Sequence, residues 1–481
     1  MIKEMRIPTA EIQFSSLSCT DEGRVFRWNG KLLRAIRAEH SKVVSQLFAS
    51  GLIDVLVKEG CFVPSQIADY TIDGFDLVIE HQLVDVVSYP REWCFSMLKD
   101  AALLILKINE IANGFGYQTK DCHGYNVLFV GEKPVYIDLG SFTPFCAKES
   151  TLLSLDEFLR SYYYPMKIWA SVGDVWGKKA VPRPSISLDT EDYLRCRWPI
   201  FRWSIADLVG GAVSKIYKVS SCTDELFFET RKRYPAWKAY LGECCRRIGR
   251  SLGSIHKLRR SVQRLNRRAH KTPWSDYHDS FALQNGEMVL TPRFQYVTDL
   301  LISLNVSSVL EVAGNQGILS RALKRKNPGL LVTCTDADEA ALDKGYCVSK
   351  KESLGVNWAV LNPFFAELAT VEESPALRFR ADAVVALALS HHLVLTRGLR
   401  LEWILDLLDH YSCNYLLIEF MPLGLYAGPT SPPTPAWYTQ EWFQKEFEKR
   451  FNLISCTRLE ENRVLFVGTK KLNDRARAVE C

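Results

Sequence analysis

The sequence predicts an α/β protein in which a C-terminal open parallel sheet, covered by helices on both faces, follows an α+β N-terminal domain. Strand-like and helix-like patterns alternate after residue 291. The stretch VLEVAGNQGILS (309–320) places glycines between a strand and a helix, and residues 120–142 space acidic residues around a hairpin. At 481 residues the chain is about three times the usual domain size, so we expect more than one domain.

Composition narrows the class of protein. With 47% hydrophobic and 24% charged residues, the chain buries real cores and is not disordered. The net charge of +5 does not by itself indicate a nucleic-acid partner. No signal-type segment or membrane-spanning stretch is evident, and the 14 cysteines form no CxxC pair, so we expect a cytoplasmic protein with reduced thiols and no structural metal.

The pattern divides the chain into an N-terminal domain (1–245), a basic helical linker (246–290), a C-terminal domain (291–471) and a tail (472–481). Residues 246–271 contain ten Lys or Arg and no Asp or Glu. Apolar residues recur there at helical spacing, at Ile248, Leu252, Ile255, Leu258, Val262 and Leu265. The segment is either a connecting helix with solvated charges or a docking face for nucleic acid or an anionic membrane surface.

Periodicity predicts the elements of the C-terminal domain. Thr291-Pro292 suits the start of a helix. Five strands are then predicted at 306–312, 330–335, 357–361, 383–389 and 415–420, with helices at 318–326, 339–349 and 401–411 between them. A Gly- and Pro-rich segment (421–438), a helix at 439–450 and a two-strand hairpin at 453–459 and 463–469 complete a seven-stranded sheet.

The glycine turn predicts a ligand site, because ligands of open α/β sheets bind beyond the carboxyl ends of the strands. Gly314 and Gly317 allow a ligand to approach the backbone closely. Asp336, at the predicted end of the second strand, can accept hydrogen bonds from both ribose hydroxyls of an adenosine ligand. This spacing suits a dinucleotide and S-adenosylmethionine equally, whereas Glu311 inside the motif would repel a pyrophosphate and favours the cationic methyl donor.

Residues 291–471 therefore resemble a class I S-adenosylmethionine-dependent methyltransferase with a Rossmann-like fold, with Glu311-Val-Ala-Gly-Asn-Gln-Gly317 in place of the acidic residue and alternating glycines of that family. The sequence departs from the family pattern at two glycine positions, which hold Ala313 and Asn315. The resemblance implies a set of cofactor-binding residues: Glu311, Ala313, Gly314, Asn315, Gly317, Asp336, Ala337 and Asn362.

Three residues are candidates for catalysis. His391 and His392 follow the predicted fourth strand, where a neutral imidazole can take a proton from the methyl acceptor. The alternative is that both histidines only pack beside the cofactor. Glu419 ends the fifth strand and either faces the substrate or braces the sheet.

The first half carries a second motif. Asp121 and Asn126 in KDCHGYN precede a hairpin and the sequence Asp138-Leu-Gly. This order resembles the catalytic core of the protein kinase fold, which implies a nucleotide site at Asp121, Asn126 and Asp138. No glycine-rich phosphate loop precedes it, so a scaffold or substrate-binding lobe is the alternative.

As a whole the chain resembles two-part methyltransferase-like proteins of rhizobial nodulation, through pieces such as KDCHGYNVLF, TPWSDY, ALALSHHL and ENRVLFVG. The resemblance implies methylation of an O or N on a small-molecule or glycan-like acceptor in host-specific nodulation. Two alternatives remain: phosphotransfer or nucleotide binding by the N-terminal domain, and a non-catalytic binding protein that retains both folds.

Overall fold

The computed structural model describes residues 5–19, 22–145, 152–183, 187–189, 192–193, 254–268, 271–276, 278, 283–284, 287–365, 372–426, 428, 430–431 and 433–471. The tail 472–481 and residues 194–253, which include the start of the predicted linker, lie outside them. The chain forms two compact units. Unit 1 contains Met1–His81, Leu98–Val127 and Tyr136–Arg268, and unit 2 contains Gln82–Met97, Leu128–Val135 and Ala269–Cys481.

Unit 1 is built on a five-stranded antiparallel sheet. In chain order the strands of the first 81 residues are β1 Met5–Arg6, β2 Gln13–Cys19, β3 Gly23–Trp28, β4 Lys31–Ile36, β5 Ser65–Ile67, β6 Tyr70–Thr71 and β7 Leu77–His81. The sheet order is β2-β3-β4-β7-β5, and helices α1 Ala38–Ala49 and α2 Leu52–Lys58 lie between its third and fourth strands in the sequence. Phe26, Leu33 and Val78 form its buried core.

The remainder of the first half is mainly helical. Its elements are α3 Phe95–Gly114, β8 Tyr117–Thr119, β9 Val127–Val130, β10 Lys133–Tyr136, β11 Phe142–Pro144, α4 Leu155–Phe158, a π-helix Leu159–Tyr163, α5 Tyr164–Val172 and α6 Asp174–Ala180. Short 3-10 helices span Thr9–Glu11, Pro90–Glu92, Gly124–Asn126 and Leu139–Ser141. The predicted order of helix, acidic segment and hairpin is therefore present.

The described part of the basic segment contains one short helix, α7 Ile255–Gln263. Leu258 and Val262 are buried, as the predicted apolar stripe requires. The single helix predicted over 246–271 is wrong at its C-terminal end, because the helix stops at Gln263, whereas its start before residue 254 lies outside the described residues. Two basic residues of the segment pair with acidic residues of unit 1: Arg259 with Glu110, and Arg267 with Asp174 at 2.6 Å.

Unit 2 contains the seven-stranded sheet that the sequence predicts. A small hairpin, β12 Leu283–Gln284 and β13 Glu287–Met288, precedes the sheet, whose strands are β14 Ser308–Val312, β15 Leu331–Asp336, β16 Asn357–Val360, β17 Ala381–Ala386, β18 Ser412–Phe420, β19 Phe451–Glu460 and β20 Arg463–Lys470. The order is β16-β15-β14-β17-β18-β20-β19, with β20 antiparallel to both neighbours. The C-terminal antiparallel hairpin is thus confirmed, whereas the fourth strand ends at Ala386, three residues earlier than expected.

Helices cover both faces of this sheet. They are α8 Pro292–Ser303, α9 Ile318–Lys326, α10 Glu339–Glu352, α11 Pro375–Arg378, α12 Leu401–Tyr411 and α13 Gln440–Phe447, with a 3-10 helix Pro363–Phe365 and a π-helix His392–Thr396. Thr291 caps α8 by accepting a hydrogen bond from the amide of Phe294, and Pro292 occupies the first turn, as predicted. The apolar side chains form one buried cluster on each face, so neither face of the sheet is solvated.

Two segments assigned by sequence to the N-terminal domain belong to unit 2. Glu132, at the tip of the β9–β10 hairpin, accepts hydrogen bonds from the amides of Gly355 and Val356, both at 2.9 Å. Glu92 forms a buried bidentate pair with Arg378, at 2.6 and 2.8 Å. The sheet edge at β16 is therefore covered by chain from the first half of the sequence.

A buried charge cluster joins α8, β18 and β20. Glu419 is fully buried and accepts two hydrogen bonds from Arg293, at 2.6 and 2.9 Å. Arg463 donates a third at 3.1 Å, and the amide of Ala388 a fourth at 2.8 Å. These contacts engage both oxygens of the carboxylate and link α8, β18 and β20 through Glu419.

Within the described ranges, no helix combines the length and apolarity needed to cross a bilayer.

We predict that Glu419→Gln destabilises unit 2 by about 3–5 kcal/mol, because the substitution leaves the buried Arg293 and the largely buried Arg463 without their carboxylate. Asp299→Asn is the matched control, since it removes an exposed pair with Lys326 and should cost at most about 1 kcal/mol. Urea unfolding of the three proteins measures the difference. A Glu419→Gln protein of unchanged stability that has lost its activity would instead place Glu419 in catalysis.

Candidate functional site

The turn between β14 and α9 has the geometry of a narrow ligand-binding loop. Ala313, Asn315 and Gly317 all adopt left-handed backbone angles, with φ of +56°, +54° and +62°. Such angles cost an L-residue roughly 1–2 kcal/mol, which explains why glycine is usual where Ala313 stands. Ala313 and Asn315, where the sequence departs from the pattern of the family that it resembles, adopt these strained angles, and the turn still forms.

Close packing beneath the turn requires its two glycines. A Cβ atom on Gly314 would lie 2.6 Å from the Sγ of Cys334, and one on Gly317 would lie 2.5 Å from the ring of Trp358. The amide of Gly314 donates to the carbonyl of Thr335 at 3.0 Å, which fixes the turn to the end of the neighbouring strand. The turn therefore lies directly on the carboxyl end of β15.

Asp336 ends β15 and faces this turn. One carboxylate oxygen accepts a hydrogen bond from the amide of Asn315, and the other accepts one from the amide of Asp338, each at 2.7 Å. Burial raises the pKa of Asp336 to about 6, although the two amides oppose the shift. The structure brings together the turn and the acidic residue that the sequence placed 19 positions after Gly317.

Glu311 has a different orientation from the one expected of a residue that contacts the ligand's amino group. Its Oε2 accepts hydrogen bonds from the amide and the hydroxyl of Ser320, at 3.0 and 2.5 Å. Ser320 lies in the first turn of α9, so the carboxylate fixes the helix that follows the glycine turn. Burial raises the pKa of Glu311 to about 7, and the Ser320 contacts only partly offset it.

A segment that sequence reasoning did not assign to the site lies against the turn. We call Lys271–Asp276 the strap. Asn315 donates from its side chain to the carbonyl of Trp274 at 2.9 Å, and Gln316 donates to that of Ser275 at 3.1 Å. Lys344 also donates to the Ser275 carbonyl, at 2.9 Å.

The strap is ordered by its own polar residues. The hydroxyl of Thr272 accepts hydrogen bonds from the amides of Trp274 and Ser275, at 3.2 and 2.8 Å. Thr272 also donates to Asp338, which caps α10. The Thr-Pro-Trp-Ser sequence is typical of a local turn, but it does not indicate which part of the fold the turn contacts.

The indole of Trp274 connects the strap to the histidine pair. Its ring packs edge-on against His392 with centroids 5.0 Å apart, and the rings of His391 and His392 are 4.0 Å apart. The histidines lie at the start of the π-helix His392–Thr396 and not on strand β17, which ends at Ala386. The site thus runs from Asp336 through Asn315 and Trp274 to the two imidazoles.

Burial favours the neutral form of both imidazoles. Burial, with the neighbouring His392 and Arg463, lowers the pKa of His391 to about 3, and burial also lowers the pKa of His392. Within the described residues, Nδ1 of His391 is buried without a hydrogen-bond partner. A neutral ring nitrogen of this kind can accept a proton.

The two remaining cofactor candidates lie at strand ends. Ala337 is exposed directly after Asp336, and Asn362 is exposed after β16. The side-chain oxygen of Asn362 accepts a hydrogen bond from the amide of Phe364 at 3.1 Å and so starts the 3-10 helix there. Both positions belong to the same edge of the sheet as the glycine turn, because the strands are parallel.

The motif of Asp121, Asn126 and Asp138 in unit 1 also has a defined geometry. Asn126 donates from its side chain to Asp138 at 3.2 Å, and a guanidinium nitrogen of Arg34 on β4 lies 3.7 Å from the same carboxylate. Burial raises the pKa of Asp138, and Arg34 partly offsets the shift. The carbonyl of Asp121 accepts a hydrogen bond from the hydroxyl of Tyr136 at 2.7 Å.

Comparison with known proteins identifies a relative by sequence. No protein-family model matches the chain. Among solved structures, one similar chain is the methyltransferase domain of bacterial CtHen1, which is 16% identical; the match covers 38% of this chain and 98% of that one, with a TM-score of 0.29. Another is the N-methyltransferase NodS from Bradyrhizobium japonicum WM9, which is 13% identical; the match covers 37% of this chain and 97% of that one, with a TM-score of 0.28. Among curated proteins, the nodulation protein NoeA of Rhizobium meliloti strain 1021 is 24% identical over 423 residues, which is 83% of each chain. The protein is therefore a homologue of NoeA.

Proposed function

We propose that unit 2 transfers a methyl group from S-adenosylmethionine to an oxygen or nitrogen of a small acceptor. The observation that carries the proposal is the contact between Asp336 and the amide of Asn315 at the adjoining ends of β15 and β14. In this proposal the carboxylate accepts hydrogen bonds from the ribose hydroxyls, beside a turn narrow enough for close ligand approach. The methyl donor supplies an electrophilic methyl group when it is bound.

The residues of the chain would divide the work as follows. Asp336 holds the ribose, while Gly314 and Gly317 let the turn pack closely on Cys334 and Trp358 beneath it. Glu311 acts as a positioning residue through Ser320, in place of the direct contact that the sequence suggested. Ala337 and Asn362 flank the adenine side of the same edge.

The acceptor side is assigned to the histidine pair. One imidazole takes the proton that the acceptor's hydroxyl or amine loses as the methyl group is transferred. Trp274 packs against His392 and helps to exclude water from this place. Methyl transfer is a direct displacement, so alignment of the two reactants supplies much of the rate enhancement.

The similarity to NoeA supports a role in host-specific nodulation, with a signal molecule or its precursor as the acceptor. A basic docking face for nucleic acid or membrane is less well supported, because Arg259 and Arg267 pair with acids of their own unit.

Cofactor binding provides the first functional prediction. S-adenosylhomocysteine should bind wild-type protein in calorimetry, and Asp336→Asn should weaken it by about 10- to 150-fold, the range expected for hydrogen bonds to a charged group. The carboxylate form binds the hydroxyls, so wild-type affinity should fall as the pH drops below about 6. Asp336→Asn should lack this pH dependence, and Asp299→Asn should behave as wild type. Wild-type protein that binds neither donor nor product would refute the proposal.

The histidine pair provides the second prediction. His391→Ala or His392→Ala should reduce methyl transfer by about 10²- to 10⁴-fold, whichever residue is the base, with little change in cofactor affinity. Transfer is measured as methylated metabolites in producing cells. His410→Ala, on the exposed side of α12, is the control. Full transfer in both variants would leave the pair with a packing role only.

A second candidate function is nucleotide binding or phosphotransfer by unit 1. It is supported by the approach of Arg34 and Asn126 to Asp138 and by helices α1 and α2 inserted after the third strand of a five-stranded sheet. The third prediction is magnesium-dependent ATP binding that is lost in Asp138→Ala and retained in the exposed control Asp156→Ala. Calorimetry with and without magnesium measures both. Wild-type protein that does not bind ATP with magnesium leaves unit 1 as a scaffold.

A further inference from the structure

A cavity of about 400 Å³ lies in unit 2, outside the contacts that define the cofactor site. It is formed by the end of the π-helix His392–Thr396, the start of α12 and the chain around α13. Its volume falls in the range of about 300–1,000 Å³ that small-molecule sites occupy. The cavity is therefore large enough for a ligand of one or two rings.

Two tryptophans give the cavity its aromatic walls. The rings of Trp437 and Trp442 stand 5.0 Å apart at 73°, so they present two perpendicular surfaces. Trp437 is 52% exposed, so its ring offers accessible apolar surface to a ligand. Val394, Leu399 and Leu401 also line the cavity and supply aliphatic surface.

The rim of the cavity is polar and close to neutral. Glu402 pairs with Arg400 and also with Lys449, at 2.9 Å, and Lys449 pairs with Glu446 at 2.7 Å. Two carboxylates thus face two cations. The two cations lower the pKa of Glu402 to about 2, so it keeps its charge at physiological pH. A ligand with a net charge gains little from such a rim, whereas hydroxyl groups find both donors and acceptors.

We propose that this cavity binds a neutral sugar ring. A pyranose combines a face of C–H bonds, which packs on an indole, with hydroxyls around its edge. This combination matches the tryptophan walls and the balanced rim. A wholly apolar chain would leave the charged rim partly desolvated without compensation, and a quaternary ammonium ion would meet Arg400 and Lys449 as well as the carboxylates.

The position of the cavity gives the sugar a role, and that role rests on the proposed methyl transfer. Val394 lies two residues after His392 on the same π-helix, so the histidine pair and the cavity share one short element. The sugar would then be part of the methyl acceptor. Binding itself does not depend on that role.

The fourth prediction tests binding without the methyl donor. Saturation-transfer NMR and calorimetry on the full chain, with cellobiose, maltose and diacetylchitobiose, should give a Kd on the order of 1 mM for at least one of them. Trp437→Ala should weaken this binding at least about tenfold, equivalent to 1.4 kcal/mol. Arg400→Ala should also weaken sugar binding, but less than Trp437→Ala does. Because the Arg400 side chain is 81% exposed, misfolding of this variant would not explain such a loss.

Trp176→Ala is the matched control, because Trp176 is 60% exposed and lies in unit 1. It should bind sugar as wild type does. S-adenosylhomocysteine binding should persist in all these variants, which separates failure of the sugar site from failure of the proposed function. The inference is overturned if none of the three sugars binds, if Trp437→Ala binds them as wild type does, or if choline or octanoate occupies the cavity and the sugars do not.

Discussion

The site depends on the register of two parallel strands. Glu311 and Val312 on β14 stand opposite Cys334 and Thr335 on β15, so the two strands end side by side. The chain leaving β14 must then turn over the end of β15, where Cys334 and Trp358 leave no space for a Cβ on Gly314 or Gly317. This steric constraint fixes the left-handed turn and brings the amide of Asn315 to Asp336.

The acidic residues of unit 2 illustrate how the surroundings of a carboxylate determine its role. Asp336 is held by backbone amides at a strand end and can exchange them for other donors. Glu311 is buried against the start of α9, and Glu419 is held by two arginines between α8, β18 and β20. Although all three occupy strands of the same sheet, only Asp336 of the three is the last residue of its strand, where the glycine turn crosses it.

The strap extends the candidate site from a single turn to a series of contacts. Trp274 is bound through its carbonyl to Asn315 and through its ring to His392. A residue outside the sheet thereby touches both the glycine turn and His392. Val394 of the same π-helix lines the cavity to which Trp437 contributes.

The sequence by itself determined the periodic features of the protein. The α9 and α12 bounds, the order of five strands and the closing hairpin follow from apolar spacing, capping residues and turn residues, which are local properties. Only the tertiary structure decided what Glu419 contacts, that the strap lies on the turn, and that Glu132 and Glu92 belong with unit 2. Each of these depends on side chains far apart in the sequence, and no local periodicity specifies which distant groups will meet.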